Sequence, residues 1–414
     1  MTAASPRIFA SVAFPRGTAL NSSTSRPGGR PVGSGRRTFG VEEEFLLVDP
    51  RTGRPAPVAE QSLQFRPYRQ GLGAGPILTP EVQQEQLEVV SPVCTTLREV
   101  AAAIRNGRAL ADEAARAVGA RAVALATSPV AVTPTPVPQP RFLKMAARFG
   151  LTFQEQLTCG FHVHVGVDSG EEGVAVLDRI RIWLPVLLAL SVNSPFWQGR
   201  DSGYASYRYQ AWSRWPTAGP SQLFGSERAY RSHVQSLLAA DVLVDEGMVY
   251  FDARLSRHHP TIEVRIADVC LEPEHATTIA AIVRALTEQA AREWRAGTPA
   301  PRRSDAQLRL AAWQASRSGV EGDLLHPVLN SPCPAPEAVQ ALLTHVRPVL
   351  AGTGDDEQVA LGVSRILTAG TGSRTQLETM ATSQSLAAVV ADAVERTHGT
   401  ATTTQRRSHR LHNT

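Results

Sequence analysis

Residues 38–48 read TFGVEEEFLLV. Phe39, Val41, Phe45 and Leu47 recur at every second position, the spacing of a strand with one face in a core. Glu42 and Glu44 then share the opposite face, and Glu43 points the other way. Two carboxylates side by side repel unless a cation sits between them. Hard oxygen ligands of this kind suit Mg²⁺. A merely solvated strand face is the plainer alternative, and the apolar neighbours argue against it.

Four more stretches repeat the theme. Residues 81–90, EVQQEQLEVV, read as a strand over Val82–Val90, stopped by Ser91-Pro92. Gln84, Gln86 and Glu88 share one face there. Glu81 and Glu88 fall on opposite faces of a regular strand, so a bulge or bend is required if both serve one site. Residues 161–166, FHVHVG, sit in a strand over Cys159–Val167, with His162 and His164 on one face. An HxH pair on a strand can bind metal, or can be two satisfied polar residues. In TIEVRI, residues 261–266, Glu263 and Arg265 share a face, and Asp252 and Arg254 repeat the acid-then-arginine order. A cross-strand ion pair is the ordinary explanation of such a pattern. The loop QGRDSGYASYR, residues 198–208, interleaves Arg with Tyr, which suits a base, a phosphate or a carboxylate.

Composition narrows the chemistry. Lys144 is the only lysine, so no Walker-type Gly-Lys-Ser/Thr loop exists, and arginine or metal must hold any phosphate. The formal charge is +4, but residues 1–37 carry six Arg and residues 396–414 carry four, with no acid in either. The remaining body is therefore acidic, at roughly −6, and is no basic platform for nucleic acid. Cys94, Cys159, Cys270 and Cys333 show no CxxC spacing, which fits a reducing cytoplasm better than a disulfide framework. Ile182–Val192 is apolar but about half of a membrane span.

Along the chain, a basic extension (1–37) and a basic tail (396–414) read as disordered, around one catalytic domain at 38–395. Further strands are expected at 121–126, 248–255 and 261–268. Helices are expected from Thr95 or Thr96 to 118, at 141–149, from Glu171 unbroken to 192, and at 226–239. After Pro273 the chain reads as helix throughout, at about 273–295, 305–318, 335–350, 356–369 and 374–396. Strands that do not alternate with helices favour an α+β antiparallel sheet with helices on one side.

Taken together, TFGVEEEF, EVQQEQLEVVSPVC, CGFHVHVG, SPFWQGRDSGYASYR and TIEVRIADV, in that order, resemble the bacterial glutamate–cysteine ligase family, in its carboxylate–amine ligase branch. The resemblance runs from about Thr38 to about residue 395. It implies a curved, funnel-like antiparallel sheet of about six strands with helices on its outer side, the catalytic fold shared with glutamine synthetase and guanido kinases. It also implies ATP, Mg²⁺ or Mn²⁺, and an acyl-phosphate intermediate in joining glutamate to cysteine or another amine. Metal ligands carried over are Glu42, Glu44, Glu81, Glu88, His162 and Glu263, with His164 beside them. Arg265, with Glu263 and Glu88, is implied in catalysis. Arg208, Asp201, Ser206, Arg254 and Gln86 are implied in substrate or nucleotide contacts. The partners are small molecules, with no nucleic acid and no membrane; a homo-oligomer is compatible. A metal-dependent hydrolase on His162 and His164, or an inactive sensor, are the competing readings.

Overall fold

The computed structural model describes residues 36–64 and 75–399. The expected strand at 38–48 is observed as β1 (Phe39–Val48) and lies inside the main sheet. The other strands of that sheet are β2 (Ile77–Pro80), β3 (Gln86–Val90), β4 (Arg121–Val123) and β5 (Gly160–Gly166). A two-residue ribbon, β6 (Phe196–Trp197) with β7 (Arg200–Asp201), stands apart, and β8 (Ala253–Leu255) and β9 (Thr261–Asp268) complete the sheet. The strand order is β2-β3-β1-β5-β9-β8, all antiparallel, with β4 pairing the end of β1. The expected α+β architecture is the observed one.

Alternation decides which face is which. Phe39, Val41, Phe161, Val163, Val165, Ile262 and Val264 are buried and share one core cluster with Ile279, Val283 and Leu286 of a long C-terminal helix. Helices before that one are α1 (Ala59–Gln64), α2 (Leu97–Arg116), α3 (Pro140–Phe149), α4 (Leu151–Gln154), α5 (Gly170–Ile180), α6 (Leu184–Ser191), α7 (Tyr207–Trp212) and α8 (Glu227–Ala239). The long helix is α9 (Pro273–Arg295), followed by α10 (Asp305–Ser318), α11 (Ala335–Thr353), α12 (Asp356–Ala369), α13 (Gly372–Ser383) and α14 (Leu386–Thr397). Thr96 caps α2, and Glu99 closes a capping box with it.

Several expectations are corrected. The strand expected over Val82–Val90 is a hairpin: β2 ends at Pro80, residues 81–85 turn, and β3 starts at Gln86. No bulge is therefore needed between Glu81 and Glu88, because they stand on different elements. The helix expected to run unbroken to 192 stops at Ile180 and restarts at Leu184. Pro185 lacks the N–H that would bond the Arg181 carbonyl, and its ring crowds that turn. The strand at 248–255 shortens to β8, preceded by a 3₁₀ turn at Glu246–Met248. Helix does not fill the chain after Pro273: β10 (Asp323–Leu325) and β11 (Pro332–Pro334) form a small ribbon. The single helix expected at 374–396 is two, broken where Gln384 takes a left-handed φ of 54° and Ser385 caps α14.

Most of both expected basic extensions lies outside the described residues. The body's contacts nonetheless reach past 38 and 395. Arg37 bonds Glu172 and Glu288 at 2.7 Å each, and Arg396 bonds Asp392 at 2.8 Å.

Glu43 points into the core, where a bare carboxylate would be costly. Its partner is Arg108 of α2, at 2.6 Å, and both side chains are at most 2% exposed. Arg108 also donates to the carbonyls of Cys270, Leu271 and Thr397. One guanidinium thus ties β1, α2, the segment after β9 and the end of α14 together. Arg108→Met is expected to cost about 3–5 kcal/mol in chemical denaturation, the range for removing one member of a buried pair. Arg105→Met, which breaks an exposed pair with Glu274, is expected to cost about 1 kcal/mol or less.

Candidate functional site

The sheet register builds the site. Glu44 on β1 lies opposite Glu88 on β3, and Glu42 lies opposite His162 on β5. His164 lies opposite Glu263 on β9, and Glu263 lies opposite Arg254 on β8. These side chains occupy the face turned away from the helical core. The β5–β9 register slips between Phe161 and Val163, so Arg265 and Ile266 together oppose His162. This bulge adds a residue to β9 where Arg265 enters the row.

Hydrogen bonds and close polar contacts hold the row in place. His162 Nδ1 is 3.1 Å from Glu42 Oε2, its Nε2 is 3.7 Å from Glu44 Oε1, and His164 Nε2 is 3.2 Å from Glu42 Oε1. The Gly160 amide donates to Glu44 Oε2 at 2.6 Å, and Thr79 Oγ1 donates to Glu88 Oε2 at 2.7 Å. Arg254 grips Glu263 through Nε and Nη2 at 2.8 and 3.1 Å, and Arg265 bonds the same carboxylate. Gln86 donates to the Thr158 carbonyl at 2.8 Å.

Crowding sets the electrostatics. Burial first, then Glu42, Glu81 and Glu44, push the Glu88 carboxyl well above the usual range. Burial and Glu44 push Glu81 up to about 8. Burial works against ionisation of Glu263 too, yet Arg265 and Arg254 hold it well below that range. Burial likewise opposes ionisation of Glu42, but the two histidines hold it low. Burial, then Arg265, lowers His162.

Two sets of ligand atoms lie within 4.8 Å of one another: Glu42, His162 and Glu263; and Glu44, Glu88 and His162. Carboxylate oxygens with one imidazole fit Mg²⁺ or Mn²⁺. A neutral imidazole has one lone pair, so His162 can complete one set at a time. Glu81 and His164 belong to neither set. Glu81 Oε2 accepts the Val82 amide, and His164 Nδ1 is 3.1 Å from Thr261 Oγ1.

The row floors a cavity of about 350 Å³. Glu42, Glu44, Glu81, Gln86, Glu88, His162, His164, Arg254, Glu263 and Arg265 all line it. Three loop candidates do not. Asp201 is exposed on β7 and accepts from the Gly203 amide at 2.8 Å. Ser206 is buried, caps α7 and donates to Asp268. Arg208 is 3% exposed and donates to the backbone carbonyls of Arg265 and Ile266, beside Asp268. It packs so close to β5 that a Cβ on Gly160 would lie 2.4 Å from its Nη2. Ser206 and Arg208 thus brace the end of β9, through Asp268 and through the strand's carbonyls, whereas Asp201 stays on its separate ribbon.

Sequence reasoning missed the opposite wall. Trp212, Trp215, Tyr250, Phe142 and Met145 line it, with Gln156 and Arg141. The aromatic content of residues 194–225 was visible in the sequence, whereas the approach of Tyr250 depends on the fold.

The model of glutamate–cysteine ligase family 2 matches residues 38–398. The chain belongs to that family. Two relatives, each named "Putative glutamate–cysteine ligase 2-1", are from Paenarthrobacter aurescens strain TC1 and Streptomyces avermitilis. The first is 54% identical, over 87% of this chain and 95% of its own length. The second is 48% identical, over 88% of this chain and 100% of its own length. Two solved structures share the ligase fold at low identity. The glutamate–cysteine ligase of Francisella tularensis in complex with AMP superposes at TM-score 0.61 and 13% identity, over 89% of this chain and 90% of that one. A bifunctional glutathione synthetase from Pasteurella multocida gives TM-score 0.63 and 14% identity, over 88% of this chain and 53% of that one.

A divalent cation held by either ligand set would be detectable without turnover. Mg²⁺ or Mn²⁺ at about a hundredfold its Kd is expected to add about 2.7 kcal/mol of stability per site. His162→Ala, which touches both ligand sets, should remove most of the rise in melting temperature. A wild-type rise in that variant would place the cation elsewhere.

Proposed function

We propose that this ligase activates the γ-carboxylate of glutamate with ATP and joins it to an amine, releasing ADP and phosphate. The observation that carries the reading is the convergence of Glu42, Glu44, Glu88, Glu263 and His162 with Arg265 in one cavity. Such a wall repels a polyphosphate unless cations intervene. Glu42, His162 and Glu263, or Glu44, Glu88 and His162, would hold a divalent ion. The ion would supply neutralisation of charge on the phosphates. The AMP carried by the Francisella ligase makes an adenine nucleotide the phosphoryl donor to test first.

A carboxylate oxygen of glutamate attacks the γ-phosphorus, and the bond from that phosphorus to the ADP oxygen breaks. The amine nitrogen then attacks the acyl carbon. The C–N bond forms as the C–O bond to phosphate breaks, and of the two ammonium protons lost, one ends on phosphate and one in solvent. Arg265 is the residue placed to hold the moving phosphoryl group. It is already charged against Glu263, and its buried Nε has no hydrogen-bond partner in the cavity wall. Positioning and charge stabilisation, without a covalent enzyme intermediate, carry the acceleration.

A hydrolase built on His162 and His164 fits less well, because His164 joins neither ligand set. Screening amino acids and amines for ADP release, with mass spectrometry of products, separates the readings. A ligase requires both substrates for ADP release. A hydrolase requires no amine, and a sensor releases no ADP.

Arg265→Lys keeps the charge and loses the planar fork. Turnover is expected to fall by about 2–4 kcal/mol of transition-state stabilisation, with a normal melt and modest loss of ATP binding. Near-normal turnover, or a collapsed melt with proportionate activity, would show that Arg265 only neutralises Glu263.

A further inference from the structure

Two arginines reach Glu263, and their remaining donors differ. Arg254 gives Nε and Nη2 to Glu263 and Nη1 to the carbonyls of Gly247 and Val249, so the protein engages every one of its nitrogens. Arg265 bonds Glu263 through Nη1, and its buried Nε has no hydrogen-bond partner. An open donor of this kind serves a ligand only if the guanidinium is held still by something that takes no donor from it.

Trp212 meets that requirement. The Arg265 Cζ lies over the Trp212 indole, 5.9 Å from the ring centroid. An aromatic face attracts a cation through its quadrupole and leaves the in-plane N–H groups free. A second carboxylate in the same place would hold the charge as well, but it would compete with a phosphoryl group for those donors. The indole is itself fixed. It is half-buried at the end of α7, with ring centroids 4.6 Å from Tyr250 and 6.5 Å from Trp215. Trp215 Nε1 in turn donates to Gln156 Oε1 at 2.9 Å.

The same short helix also holds the Arg265 main chain. Arg208, four residues before Trp212 and so on the same face of α7, donates to the carbonyls of Arg265 and Ile266 at 3.2 Å each. These are the two residues that oppose His162 together at the β5–β9 bulge. One face of α7 therefore holds Arg265 at both ends, its backbone where the strand ladder is irregular and its guanidinium in the cavity.

We infer that Trp212 is a positioning residue for phosphoryl transfer: its ring holds the Arg265 guanidinium beside Glu263 and leaves the open donor for the moving phosphoryl group. This rests on the ligase reading above. Trp212 then acts on turnover through Arg265 and not through contact with either substrate.

The test uses the full chain with Mg²⁺, ATP, glutamate and hydroxylamine, so that no natural acceptor has to be known. The hydroxylamine nitrogen attacks the acyl carbon, the C–N bond forms as the C–O bond to phosphate breaks, and the proton lost from nitrogen ends on phosphate. The hydroxamate reports the phosphoryl step. Trp212→Met removes the ring and keeps apolar bulk; kcat is expected to fall at least about tenfold, with KM for ATP and for glutamate within about twofold and a normal melt. Trp212→Phe restores a ring face and is expected to keep kcat within about threefold of wild type. An unchanged kcat in Trp212→Met overturns the inference, as does a loss in Trp212→Phe equal to that in Trp212→Met. A rise in KM with kcat preserved would make Trp212 a substrate contact, and a collapsed melt with proportionate activity would make it a support of the fold; either overturns the inference and leaves the ligase reading standing. A wild-type enzyme that forms no hydroxamate overturns the acyl-phosphate reading, and the inference falls with it.

Discussion

Mutual repulsion of buried carboxylates is the constraint on which the rest of the structure depends. Glu42, Glu44, Glu88 and Glu263 arrive on neighbouring strands of one sheet face and cannot all carry bare charge there. The protein answers with imidazoles and guanidiniums around them. His162 and His164 sit between β1 and β9, and Arg254 and Arg265 flank Glu263 from the sheet edge. Glu88 receives a hydroxyl instead of a cation, and burial with the nearby Glu42, Glu81 and Glu44 pushes its carboxyl up. A face arranged this way has the donor set and the excess of carboxylates that a divalent cation would relieve.

The opposite face keeps that arrangement rigid. The Glu43–Arg108 pair lies directly behind Glu42 and Glu44, so β1 is clamped from the core side. At the end of β9, Asp268 accepts from the Asn193 amide, Ser194 and Ser206, and Arg208 donates to the carbonyls of Arg265 and Ile266. The bulge that brings in Arg265 therefore rests on a buried network. Function on one face and stability on the other are separated by the two-residue period of the strands.

That period is why much of the site could be read from sequence. Parity alone puts Glu42 with Glu44, His162 with His164 and Glu263 with Arg265. The places where reading failed are those where the chain turns without Gly or Asn, or where partners are remote. Residues 81–85 carry no such punctuation, so the β2–β3 hairpin looks like one strand and Glu81 seems out of phase. Arg208 sits in a loop rich in Arg and Tyr, which resembles a ligand contact. Its burial against Asp268 is a long-range fact. Glu43 signalled its need for a partner by facing the core, but nothing local singles out Arg108 among the arginines of α2.

The proposed chemistry at this site is the passing of a phosphoryl group to a carboxylate. The direct measurement is transfer of ¹⁸O from glutamate labelled in its γ-carboxylate, with ATP, Mg²⁺ and any acceptor that supports turnover. Activation through an acyl phosphate predicts that the released phosphate carries one ¹⁸O from glutamate per turnover. Phosphate that carries no label from glutamate, with its new oxygen drawn from water, would contradict it.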